Sequence, residues 1–99
     1  MSARYGLDMM NDFYRGQQIV YIPNHANGDK GHPDCERGFV TSANEQTVFC
    51  RFWHRSDPGI LRNRSNSESC RVEDVESEPD YIPQEVVDAW LTIIDWENS

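Results

Sequence analysis

Two β-rich runs lie close together in the middle of this chain, and they constrain its fold more than any other feature. Arg37-Gly38-Phe39-Val40-Thr41-Ser42 and Thr47-Val48-Phe49-Cys50-Arg51-Phe52-Trp53 are dominated by β-branched and aromatic residues, the types that fit a pleated, half-buried surface. Ala43-Asn44-Glu45 between them reads as a turn, so the pair reads as a hairpin. Side chains alternate across a strand. Val48, Cys50 and Phe52 therefore share one face, and Phe49, Arg51 and Trp53 share the other.

The rest of the chain is arranged around that hairpin. Gln18-Ile19-Val20-Tyr21-Ile22 reads as a first strand stopped by Pro23. Residues 23–34 hold two glycines and two prolines and read as a long loop. Residues 54–69 are polar, are broken at Asp57-Pro58-Gly59 and become rich in Ser and Asn, so they read as a surface loop. Cys70 to Val75 returns as a short fourth strand with Val72 inward and a turn at Glu73-Asp74. Leu7, Met10 and Phe13 or Tyr14 sit at helical spacing, which suggests a short helix or ordered arm over 1–15. A helix is expected over 83–96, with Pro83 as its first residue and Glu85 in its first turn, where the helix dipole favours a negative charge. Val86, Trp90 and Ile93 form one stripe, and Val87, Leu91 and Ile94 the adjoining one; Asp88, Thr92 and Asp95 fall opposite. That apolar face needs a cover, from the sheet, a second copy or another partner. Ninety-nine residues make one domain. It divides into an arm (1–15), a sheet body (16–76), and an acidic linker with the helix (77–99).

Charge is distributed unevenly. Residues 1–72 carry all nine Lys and Arg against eight acids, a net +1. Residues 73–99 carry nine acids and no base, a net −9, so the whole chain stands at −8. Such asymmetry bears on partners rather than on fold.

The order of strand, long loop, Gly-led strand, tight turn, Val-aromatic strand and closing Val-Glu-Asp-Val resembles the small SH3-like barrels, the KOW and Tudor-like group included. Gly16-Gln17-Gln18-Ile19-Val20, Glu36-Arg37-Gly38-Phe39-Val40 and Thr47-Val48-Phe49-Cys50-Arg51-Phe52 carry that pattern. More narrowly, Tyr21-Ile22-Pro23-Asn24-His25-Ala26-Asn27-Gly28-Asp29, with His32-Pro33-Asp34-Cys35-Glu36-Arg37-Gly38, resembles a family of small uncharacterised bacteriophage and prophage proteins. The resemblance spans roughly residues 16–76 and implies a barrel of four to five short antiparallel strands; the C-terminal amphipathic helix lies outside it, so the expected fold is mainly β with α. The resemblance also implies a viral context and transfers no site. By analogy, small acidic phage proteins often disarm host nucleic-acid machinery, anti-CRISPR proteins among them.

Three constellations could carry function. The first is acidic: Glu73, Asp74, Glu76, Glu78 and Asp80 form a track able to mimic phosphates and dock on a basic groove of a host protein. The apolar helix residues Val86, Val87, Trp90, Leu91 and Ile94 offer a second contact, to a partner or to another copy in a homodimer. Third, Arg51, Trp53, Arg55, Arg62 and Arg64 suggest an alternative nucleic-acid edge, because guanidinium forks suit phosphates and exposed rings stack on bases. A regulatory acidic tail would then control access to it.

Loop residues His25, Asp29, His32, Asp34, Cys35 and Glu36 include metal-ligating types. Their His-x6-His-x2-Cys spacing is not a standard zinc pattern. The favoured reading has no metal and no cofactor, with the loop pinned by hydrogen bonds of Asp29 and Asp34. Catalytic signatures are missing: no Gly-x-Ser-x-Gly elbow, no phosphate-binding Gly-rich loop with Lys, no His-Glu-x-x-His. The expectation is a non-enzymatic binding protein. No apolar run approaches the roughly 18 residues needed to span a bilayer. Three cysteines and no secretion signal suggest reduced thiols in the cytoplasm of a bacterial host.

Overall fold

The computed structural model describes residues 13–62 and 66–98. The arm expected over 1–15 lies mostly outside them, and Phe13 to Arg15 form no helix. Six strands form one antiparallel sheet: β1 (Gln18–Tyr21), β2 (Glu36–Ala43), β3 (Thr47–His54), β4 (Asp57–Leu61), β5 (Glu68–Arg71) and β6 (Val75–Ser77), followed by one helix, α1 (Gln84–Glu97). The protein is thus mainly β with α. No helix among the described residues is long and apolar enough to cross a membrane.

The expected hairpin is the centre of the sheet. Asn44 makes its turn: its Oδ1 accepts the amides of Gln46 (3.0 Å) and Thr47 (2.9 Å), the local bonding that lets Asn replace ladder hydrogen bonds. The register shifts between Val40 and Ser42. Thr41 Oγ1 there donates to the Phe49 carbonyl at 3.1 Å and meets Ser67 Oγ at 2.7 Å. The order is β4-β3-β2-β1-β6, and β5 pairs with the opening half of the β3 edge whose far end carries β4. No pairing among the described residues joins β6 to β4 or β5, so the ladder is open rather than the closed barrel expected.

The 54–69 stretch, expected as a surface loop, includes paired strand among its described residues: β4 and the start of β5. Pro58 is tolerated because β4 lies at an edge, where a missing N–H costs no ladder bond. Gly59 takes φ +104, a conformation that a side chain disfavours. The turn expected at Glu73-Asp74 is a 3-10 turn over Val72–Asp74, and Val75 opens β6 beyond it.

Alternation along β3 sorts the core into two layers. Val48, Cys50 and Phe52 join Ile19, Val40 and Val75 on one face. On the other, Trp53 packs with Phe39 and Leu61 beneath α1, whose Val87 and Ile94 complete the cluster. The Phe39 and Trp53 rings lie 5.3 Å apart, tilted by 50°. Pro83 caps α1 from outside, with ψ 134, and the helix begins one residue later than expected. Trp90 Nε1 donates to the Gly59 carbonyl at 2.9 Å and ties the helix to β4. A third cluster, Val20, Ile22, Ala26 and Cys35, folds the 23–34 loop back on β1.

Candidate functional site

The structure places the acidic track unexpectedly. Glu76 pairs with Lys30 at 3.2 Å, and Glu78 takes a two-pronged contact from Arg37. Arg71 lies 3.7 Å from Glu73 and 3.3 Å from Asp74. Four of the five track residues therefore face cations of the same chain. The fifth, Asp80, sits in a turn at φ +64. The Glu78 carboxylate holds the Arg37 guanidinium above its usual pKa, against the opposing effect of burial.

The apolar helix stripe is likewise occupied. Val87 and Ile94 are buried in the second core layer, and Val86, Trp90 and Leu91 pack against it. Of these five residues, expected to contact a partner or a second copy, Val87 and Ile94 are covered by their own sheet, and Val86, Trp90 and Leu91 are partly covered. The outer surface of α1 is different. Glu85, Asp88, Asp95 and Glu97 are exposed there, beside Ile93 and Trp96, which is 79% exposed. Asp95 pairs with Arg15, and Asp88 Oδ1 accepts from Gln84 at 3.2 Å. The helix contains no base.

The nucleic-acid edge does not assemble. Arg51 and Trp53 are buried, at 5% and 4% exposure, because they lie on the β3 face that α1 covers. Trp53 Nε1 makes no hydrogen bond among the described residues; the ring serves the core by its bulk. Arg62 binds Glu36 and takes both carboxylate oxygens of Glu68, at 2.8 and 2.9 Å, while lying over the Phe52 ring at 5.1 Å. Arg55 is exposed and donates to the Pro33 carbonyl. Arg64 lies outside the described residues.

Sequence reasoning missed a cleft of about 290 Å³ between the 23–34 loop and the β3–β4 end of the sheet. Lys30, His32, Arg37, His54, Arg55 and Arg62 line it, with Trp53, Tyr81 and Glu36. Arg37 stacks over the Tyr81 ring at 5.2 Å. Its basic character is offset by Glu76, Glu78, Glu36 and Glu68, the partners of three of those cations. No sequence spacing marks the cleft, because five separate stretches of chain contribute to it.

The loop itself is ordered by its own polar groups. Asp29 Oδ1 accepts the Gly31 amide at 2.9 Å, as expected, and His25 Nε2 lies 2.7 Å from Asp34 Oδ2. That contact holds the Asp34 carboxyl below its usual pKa. Cys35 is buried, and its thiol donates to the Asp29 carbonyl at 3.2 Å. On the opposite core face, Cys50 and Cys70 are neighbours. The Cys50 thiol donates to Cys70, which lowers the Cys70 pKa and, with burial, raises that of Cys50. All three cysteines are free thiols.

Compared with known proteins, the chain matches no family model, no curated protein and no solved structure.

Proposed function

We propose that this chain is a non-enzymatic binding module that docks on a basic face of a partner protein through the outer surface of α1. The observation carrying this reading is the make-up of that surface. It presents carboxylates around two large exposed apolar side chains, and the helix itself carries no base, although Arg15 from outside it pairs with Asp95. Apolar anchors inside a charged rim are the usual anatomy of a protein contact. The acids add long-range attraction, which speeds association and weakens as salt rises. A protein that handles nucleic acid has the complementary basic face. The phage resemblance fits an accessory protein that binds and inhibits such a host factor, an anti-CRISPR-like role being one form of this.

We also infer an SH3-like wiring of the sheet. Its support is the chain order: β1, β2, β3 and β5 in antiparallel succession, a 3-10 turn, then β6 returning to β1.

Capture of the tagged full-length protein from a bacterial lysate tests the binding reading, with nuclease present and at two salt concentrations. The parent is expected to retain a protein partner after nuclease treatment, less of it at high salt. The combined variant Glu85→Lys, Glu97→Lys, Trp96→Ala is expected to lose it while remaining folded. Equal retention by that variant refutes the reading. Recovery of nucleic acid in place of protein shifts the assignment to the arginine-lined cleft. A dimer by light scattering, abolished in the variant, makes a second copy the occupant. Charge reversal at Glu76 or Glu78 is a poorer test, since it breaks ion pairs within the chain.

A further inference from the structure

We propose that His25, His32 and Asp34 form a binding site for a divalent first-row transition ion of the zinc class. One ligand atom from each residue lies within 4.8 Å of the others. The two imidazole rings meet edge to face at 5.2 Å. Two imidazoles and one carboxylate suit zinc, cobalt or nickel, whereas calcium and magnesium prefer all-oxygen shells.

The donor set is brought together by the loop, not by regular spacing. The 3-10 turn Asn24–Ala26 ends at Asn27 in the left-handed region (φ 52), and Gly28 follows at φ +80. The chain then folds back through hydrogen bonds from the amides of Asp29, His32 and Cys35 to the carbonyls of Ala26, Asp29 and His32, at 3.0 Å each. The Ala26 and Cys35 side chains anchor this fold-back in the third apolar cluster. The scaffold is set before any ion arrives.

The adjustment needed to close the site is small. Tetrahedral zinc–nitrogen and zinc–oxygen bonds of about 2.0–2.2 Å put two ligand atoms of one ion roughly 3.3–3.6 Å apart. His25 Nε2 and Asp34 Oδ2 stand at 2.7 Å, sharing a proton that the ion would replace, so they need to part by only about 0.6–0.9 Å. The widest separation in the cluster must close by about 1.4 Å, a side-chain rotation. His32 Nδ1 accepts the Asp34 amide at 3.0 Å. Giving up that bond, or changing tautomer to present Nε2, opposes binding in part. Cys35, one of the loop residues of metal-ligating type, is not in the set. Its sulfur is turned to the Asp29 carbonyl. Three protein ligands leave coordination positions open, and His32 also lines the 290 Å³ cleft.

The test uses the chelator-treated full-length protein, titrated with Co²⁺ by visible absorption and with Zn²⁺ by calorimetry. The parent is expected to bind one equivalent of either ion and to release protons in doing so. His25→Ala and Asp34→Asn are each expected to lose about tenfold or more in affinity. No thiolate-to-cobalt charge-transfer band is expected, because the Cys35 sulfur lies outside the ligand set. His25 is exposed, so its replacement leaves the fold intact, which circular dichroism checks. Equal affinity in the parent and His25→Ala overturns the proposal, as does a parent that binds neither ion. A thiolate-to-cobalt band in the parent overturns the assigned ligand set.

Discussion

Gly38 has no alternative at its position, and the reason lies in β3. It stands opposite Ile19 on one side and Phe52 on the other. A Cβ added there would lie 2.0 Å from the Arg51 carbonyl oxygen, 2.8 Å from the Phe52 Cα and 2.9 Å from the Arg51 carbonyl carbon. All three are backbone atoms, so no side chain can swing aside. Restoring even a 3.0 Å separation requires the two central strands to part by about 1 Å, which stretches their ladder and loosens both core layers at once. Overpacking of this kind costs typically 1–3 kcal/mol, and a rigid backbone obstacle belongs at the upper end, about 3 kcal/mol. For a domain of this size each kcal/mol moves Tm by about 4–8 °C, so Gly38→Ala is expected to lower Tm by roughly 12–24 °C. Circular dichroism melts and urea unfolding followed by tryptophan fluorescence measure it. Gly31→Ala is the control. Its added Cβ would meet only the Asp29 carboxylate, at ordinary contact distance, and it is expected within about 0.5 kcal/mol of the parent. A Gly38→Ala protein melting within about 4 °C of the parent refutes the account of the strand crossing.

Other elements make narrower predictions. Trp90→Phe keeps an aromatic ring but removes the bond to Gly59 and part of the indole's packing, and urea unfolding should show a loss of at least about 0.5–1.5 kcal/mol. The Cys50 thiol favours the Cys70 thiolate, so Cys50→Ala raises the Cys70 pKa; the pH–rate profile for alkylation at Cys70 should shift to higher pH, and an unchanged profile refutes the contact. A double-mutant cycle on Arg37→Met and Glu78→Gln should give a coupling of about 1 kcal/mol that falls only modestly with added salt, since both side chains are mostly buried.

The central strands and α1 are legible in the sequence because their apolar residues recur at the right period. Val48, Cys50 and Phe52 fall on one face and Trp53 on the other, as alternation requires. β4 is not legible. Asp57-Pro58-Gly59 carries every mark of a turn, and only its edge position lets it pair as a strand. β5 is nearly as obscure, since Glu68-Ser69-Cys70-Arg71 lacks an apolar alternation. Charge is visible in a sequence but its neutralisation is not: Glu76 and Glu78 reach Lys30 and Arg37 across more than forty residues of chain. Arg51 is the converse case, a cation whose burial follows from sharing a face with Trp53. In the 23–34 loop the two histidines stand out by type, whereas Asp34 joins them only because the loop doubles back.

An open sheet leaves strand edges that other chains can extend, and here each end is blunted. On β4, Pro58 has no N–H to offer and Gly59 turns the backbone out of the strand conformation. β6 is three residues long, carries Glu76 at its centre and is followed by Glu78 and Pro79. Short edges, proline and charge are the devices by which β proteins avoid adding strands from their neighbours. The same irregularity that hides β4 from sequence inspection therefore guards the folded molecule against fibre-like self-assembly.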